Sequence, residues 1–148
     1  PRCPKCGKGD SVLGKGYSLE PHLCLHLTQR SCDIALGVPY NLASYALLLE
    51  LIARFVDLPV GIFAHTLVDA HVYTRKADGL MEDMDHVPGL VEQLERAPRT
   101  LPRLTIDACM QKLTDLDPLM SQSTAEVMSC FQLTGYDPYP AIKFKVAV

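Results

Sequence analysis

Hydrophobic and polar residues alternate at the start of the readable pattern. Leu23, Leu25 and Leu27 fall on one side of the alternation, and His22, Cys24, His26 and Thr28 on the other. A period of two predicts a strand. From Asn41 to about Asp57 the pattern changes: Leu42, Ala43, Tyr45 to Leu49 and Leu51 to Ala53 leave almost no polar face. This predicts a long helix buried nearly all round, with Asn41 as its N-cap and Pro59 and Gly61 ending it. The stretch between, Arg30 to Pro39, reads as a polar turn. Phe63 to Tyr73 alternates again. Ala64, Thr66, Val68, Ala70 and Val72 make one small, mostly apolar face, while His65, Asp69, His71 and Tyr73 share the other. Polar groups gathered on one strand face suit a lined pocket better than a core.

The remaining segments are plainer. Pro1 to Glu20 is rich in Gly, Lys and Pro and reads as a loop or short hairpin. Asp78 to Arg96 is helical in parts, with Pro88-Gly89 expected to break it. Leu104 to Ala108 and Phe131 to Thr134 read as short strands, and Asp115 to Ala125 as a loop with a helical turn. Mixed strands and helices place the chain in the α/β (α+β) class.

Composition narrows the function classes. At 148 residues, 48% of them hydrophobic, the chain is one domain or less with material for a real core. A net charge of −3 gives no basic footprint for general nucleic-acid binding. The longest apolar stretch, Leu42 to Val56, contains Glu50 and Arg54 and is too short to span a bilayer. No secretory pattern is visible, so a cytoplasmic location is expected. The six cysteines (Cys3, Cys6, Cys24, Cys32, Cys109 and Cys130) are then expected to be reduced thiols. The first residue is Pro1, and the chain is expected to be the C-terminal part of a longer protein.

One run concentrates polar chemistry beside an apolar helix. Gln29 to Leu48, QRSCDIALGVPYNLASYALL, brings Arg30, Ser31 and Asp33 within four residues and follows them with Gly37, Pro39 and Asn41. It resembles thymidylate synthase. His65 to Tyr73 (HTLVDAHVY) is similar to that family's histidine-tyrosine strand, Ala97 to Leu104 (APRTLPRL) to its proline-rich strand entry, and Gly135 to Val148 (GYDPYPAIKFKVAV) to its closing tail. The four blocks stand in family order. The stretches before Leu23 and between Lys76 and Arg96 fit poorly.

The resemblance implies a mixed, largely antiparallel sheet carrying a long buried helix, with residues 1–148 the C-terminal part of one catalytic domain. It implies methylation of deoxyuridylate (dUMP) to dTMP. The co-substrate 5,10-methylenetetrahydrofolate gives the carbon and the hydride, and a cysteine thiolate adds to C6 of uracil. Gln29, Arg30, Ser31, Cys32, Asp33, Asn41, His71 and Tyr73 are the implied nucleotide-binding residues. Arg30 and Ser31 would hold the phosphate, and His71 and Tyr73 the deoxyribose hydroxyl. His65 shares their face but is not counted. Asn41 offers both a donor and an acceptor, which suits uracil O4 and N3–H; an aspartate there would suit cytosine. Asp33, Gly37 and Ala147 are the implied folate contacts, the tail folding over the ligand to exclude water. The family works as a homodimer whose partner supplies phosphate-binding arginines from the N-terminal half, so this segment alone is not expected to turn over. A deoxyuridylate hydroxymethylase would share Arg30 and Asn41.

The nucleophile is read two ways. The family pattern Pro-Pro-Cys-His is matched best at Cys3, which follows Pro1-Arg2 but precedes Pro4; Cys6 is the second choice. A rival reading takes CPKCG as half of a zinc ribbon within a divergent segment 1–22. Cys3 and Cys6 would then be joined by His22 and Cys24, with His26 as a further donor, in a non-catalytic, nucleotide-binding relative. The primary expectation is an enzyme without a metal.

Overall fold

The structure is a computed structural model and describes residues 10–11, 14–15, 21–74 and 84–146; of the first two pairs only the backbone is described. Asp10–Ser11 (β1) pairs antiparallel with Gly14–Lys15 (β2), which agrees with a short hairpin in the opening segment. The main body begins with β3, Leu23–Asp33, followed by helix α1, Gly37–Phe55, and β4, Val60–His71. Then come α2, Val87–Leu94, β5, Arg103–Ile106, two 3-10 turns at Leu113–Leu116 and Pro118–Ser121, α3, Thr124–Ser129, and β6, Phe131–Thr134.

The principal pairing is parallel. β3 and β4 run side by side with Leu27 opposite His65, Gln29 opposite Leu67 and Asp33 opposite His71. Parallel neighbours cannot be joined by a tight turn, so the connection crosses over through α1, which packs on both strands. The ladder starts with an irregularity between Leu23 and Leu25. Gly61 sits beside it, where an added Cβ would lie 2.6 Å from Cys24 Sγ and 2.9 Å from the Leu23 carbonyl. Glycine there allows β4 to approach β3 closely. β5 and β6 form a separate antiparallel pair, with Ile106 opposite Phe131.

Several expectations change. The antiparallel pairs are the short ones, whereas the long ladder is parallel. The segment Gln29–Asp33 is not a turn but the second half of β3; the turn is confined to Ile34–Leu36. Asn41 is not the N-cap. α1 begins at Gly37 after Leu36, without a side-chain cap, and Pro39 lies in its first turn, where a missing N–H does no harm. Pro88 likewise opens α2 rather than breaking a helix. α1 ends at Phe55, and Asp57 takes a left-handed backbone (φ 53°) that reverses the chain into β4.

α1 has the predicted length, but only Val38, Leu49 and Ala53 are buried. Tyr40, Leu42, Leu48 and Ile52 remain exposed. The nearly uniform apolarity of the helix is therefore not matched by burial among the described residues. The outer faces of β3 and β4 are also open: Cys24, His26, Thr28 and Arg30 on β3, and Ala64, Thr66 and Val68 on β4.

Arg54 joins the two halves. Its guanidinium donates to the carbonyls of Met110, Ile106 (3.2 Å) and Asp107 (3.1 Å). Met110 is fully buried. One planar cation with several fixed donors thus anchors the end of β5 to the last turn of α1.

Candidate active site

Two linked polar clusters lie on the α1 side of the β3–β4 ladder. The first is built around Gln29. Alternation along β3 turns this residue to the same side as Leu25 and Leu27. Its Nε2 donates to Asn41 Oδ1 (2.9 Å) and to the Ser31 carbonyl (2.7 Å). Its Oε1 lies 2.9 Å from His65 Nε2. The whole amide of Gln29 is therefore engaged by the protein, and Gln29 orients Asn41 and His65. Asn41 Oδ1 keeps a second lone pair, and its Nδ2 keeps both hydrogens. His65 is steadied by stacking on Phe63, with ring centroids 5.9 Å apart and planes 13° from parallel.

The second cluster occupies the C-terminal ends of the two strands. The His71 and Tyr73 rings meet edge to face at 5.4 Å. His71 Nδ1 is 3.1 Å from the Asp69 carbonyl and 3.8 Å from Asp69 Oδ2. Asp33 Oδ1 accepts from Ala35 N (3.1 Å), which folds the turn after β3. His86 completes the group. Its ring contacts Tyr73 at 5.4 Å and Phe144 at 5.1 Å. Its backbone N donates to the Tyr73 carbonyl at 3.0 Å. Gly37 lies between the clusters: a Cβ on it would meet Asp33 Cβ at 3.5 Å and Asn41 Oδ1 at 3.8 Å.

The structure thus brings together Gln29, Asn41, Asp33, Gly37, His71 and Tyr73 from the predicted set. Arg30 lies on the exposed outer side of β3, and Ser31 is exposed beside it. Cys32 is wholly buried, and its thiol donates to the Gln29 carbonyl at 3.2 Å, so it braces the cluster from behind. Ala147, Cys3 and Cys6 lie outside the described residues. Cys24 is exposed, and its sulfur takes a hydrogen bond from Ile62 N at 3.3 Å. Among the described residues no group of three or more His, Cys, Asp or Glu is placed to hold a metal. None of their helices is long and apolar enough to cross a membrane.

Sequence reasoning missed two residues. His65 shared a face with His71, and its engagement with Gln29 across the ladder is visible only once the register is known. His86 lay in a segment set aside because it matched the family poorly.

A sequence model of the family described as thymidylate synthase matches residues 12–148. The chain belongs to the thymidylate synthase family. It is 42% identical over 130 residues to the thymidylate synthase of Candida albicans, which covers 87% of this chain and 36% of that protein. Against the Saccharomyces cerevisiae thymidylate synthase it is 39% identical over 145 residues, 98% of the chain and 38% of the relative. Against the human one it is 39% identical over 137 residues, 93% and 37% respectively. The chain therefore spans little more than a third of the length of these relatives. The match to the thymidylate synthase model starts after Cys3 and Cys6.

Proposed function

We propose that the protein of which this chain is part methylates dUMP to dTMP. The observation that carries the reading is the Asn41 amide, held by Gln29 beside His65 within a family-matched stretch. A donor and an acceptor fixed in one plane complement uracil O4 and N3–H, and a preset geometry strengthens discrimination. His71 and Tyr73 receive the deoxyribose hydroxyl. Arg30 forks onto the phosphate, with Ser31 adding a hydrogen bond. Methylenetetrahydrofolate supplies the one-carbon unit and the hydride. Asp33 and Gly37, with Ala147, are the residues that hold it. Asp33 keeps 18% side-chain exposure, enough to meet a pterin N–H.

The chemistry needs a thiolate at uracil C6 and stabilised charge on O4. Cys3 is the proposed nucleophile and Cys6 the second choice. The cationic Arg30 lowers the pKa of a thiol brought beside it. The active form is a homodimer in the cytoplasm, in which the rest of the protein covers the apolar faces of α1 and the partner's arginines complete the phosphate site. The segment alone is inactive.

Incubating the full-length protein with 5-fluoro-dUMP and methylenetetrahydrofolate tests this. Fluorine at C5 cannot leave as a proton does, so a synthase stalls as a covalent complex. Peptide mapping to Cys3 supports the whole reading, and mapping to Cys6 or an upstream cysteine moves the nucleophile. Absence of any adduct removes the catalytic reading.

A further inference from the structure

His86 is 1% exposed, and its two nitrogens face different parts of the protein. Nε2 lies 2.8 Å from the Lys145 carbonyl, which can only accept, so Nε2 carries a hydrogen. Nδ1 has no hydrogen-bond partner, and 3.8 Å away stands Asp33 Oδ1. A neutral ring would therefore set one lone pair against another in a nearly dry space. Buried polar atoms left in that state are destabilising. The Asp33 carboxylate is thus the group that faces the unpartnered nitrogen, and the placing of one bears on the other.

The same ring carries the C-terminal segment. Phe144 rests edge-on against it, and Gly89, three residues along, lets that phenyl group seat: a Cβ on Gly89 would come within 2.6 Å of Phe144 Cε1 and 2.9 Å of Ile142 Cγ2. Asp33 and the tail thus meet opposite nitrogens of one imidazole, the carboxylate 3.8 Å from Nδ1 and the Lys145 carbonyl accepting from Nε2. We propose that His86 is a positioning residue that ties the seating of residues 142–146 to the state of Asp33. Folate binding then depends on it more than nucleotide binding does. The assignment of Asp33 to folate rests on the function proposed above; the mechanical link does not.

The link is tested by amide exchange in residues 142–146 of the full-length protein, comparing wild type, D33A, H86Q and the double variant. Alanine is chosen because asparagine would bring an N–H donor to Nδ1. Exchange in the tail of D33A should quicken about tenfold, the scale of one modest hydrogen bond. H86Q should quicken it as well, and D33A should add nothing further in the H86Q background, because the connection is already cut. Tail exchange unchanged by D33A, or additive effects in the double variant, overturns the proposal. If H86Q fails to fold, D33A alone decides. Kinetics give a second arm: in H86Q the KM for methylenetetrahydrofolate should rise about tenfold while that for dUMP stays within about twofold. Equal rises in both point to general loosening and overturn the positioning role. Lack of turnover in wild type would remove the proposed function but leave the exchange result to stand or fall by itself.

Discussion

Polar side chains are used differently in the two halves of the molecule. Around the β3–α1–β4 crossover a chain of them bonds to one another, Gln29 to Asn41 and His65 to Gln29, beside bonds to backbone from Cys32, Asp33 and His71. In the half that follows they bond mainly to backbone. Arg54, reaching over from α1, holds three of its carbonyls, Arg96 donates to Pro140 O, and Arg99 donates to Asp137 O while stacking 3.8 Å over the Tyr139 ring. Asp107 caps Cys109 N, Asp115 takes the N–H groups of Gln111 and Lys112, and Ser123 with Glu126 closes a capping box on α3. Bonds to backbone fix the path of a chain that has little regular structure. Bonds between side chains fix the orientation of particular atoms, which recognition requires. The first half is built to present groups, and the second to hold a shape.

The contrast can be broken at Arg54. Replacing it with leucine should destabilise the protein by about 3 kcal/mol, since three carbonyls lose a charged donor and one belongs to buried Met110. Urea unfolding measures this, and Arg54→Lys should recover only part of it. Asn41→Asp should leave stability nearly intact but weaken dUMP binding by roughly tenfold to a hundredfold, through loss of the donor proposed for uracil O4. Titration calorimetry on the full-length protein would show it; an equal loss of stability would mean Asn41 is a structural amide. Thiol chemistry gives a smaller effect. A hydrogen bond with Asp107, aided by desolvation and the Asp107 charge, pushes Cys109 up to about 11. It should react with iodoacetamide at pH 8 about tenfold more slowly than an unperturbed exposed thiol, because about a hundredfold less thiolate is partly offset by the greater nucleophilicity of the more basic sulfur. Mass mapping would compare it with Cys24.

Acid should give the smallest difference. Backbone donation from Cys109 holds Asp107 low, donation from Gln111 and Lys112 does the same for Asp115, and the Ser123 hydroxyl and N–H do so for Glu126. A carboxylate depressed on folding contributes stability that is full above its unfolded value, near 4, and is lost as pH falls through the folded value. Exchange protection in residues 107–129 should therefore fade first as pH drops below about 4. Uniform loss across both halves would remove the distinction.

Local pattern made the elements of the first half legible. Alternation found β3 and β4, and unbroken apolarity found α1, because each signal is carried within one element. The strand direction was not legible, since periodicity is the same for parallel and antiparallel neighbours. The extension of β3 through Arg30 and Ser31 was hidden because polar residues at a strand end look like a turn. Burial all round α1 is not confirmed: an apolar surface records what the helix can pack against, and Tyr40 and Ile52 find no cover among the described residues. His86 was hidden for a different reason. Its partners, Asp33, Tyr73 and Lys145, come from distant parts of the chain, and no local signal encodes them.

The Gln29–Asn41–His65 chain draws one residue from each element of the crossover, and 36 positions separate Gln29 from His65. Closing so long a loop is entropically slow compared with forming a helix. During refolding, α1 can form early while the Asn41 amide is still unaimed. Recovery of nucleotide binding should therefore lag behind recovery of helical circular dichroism and report the moment at which β4 docks beside β3.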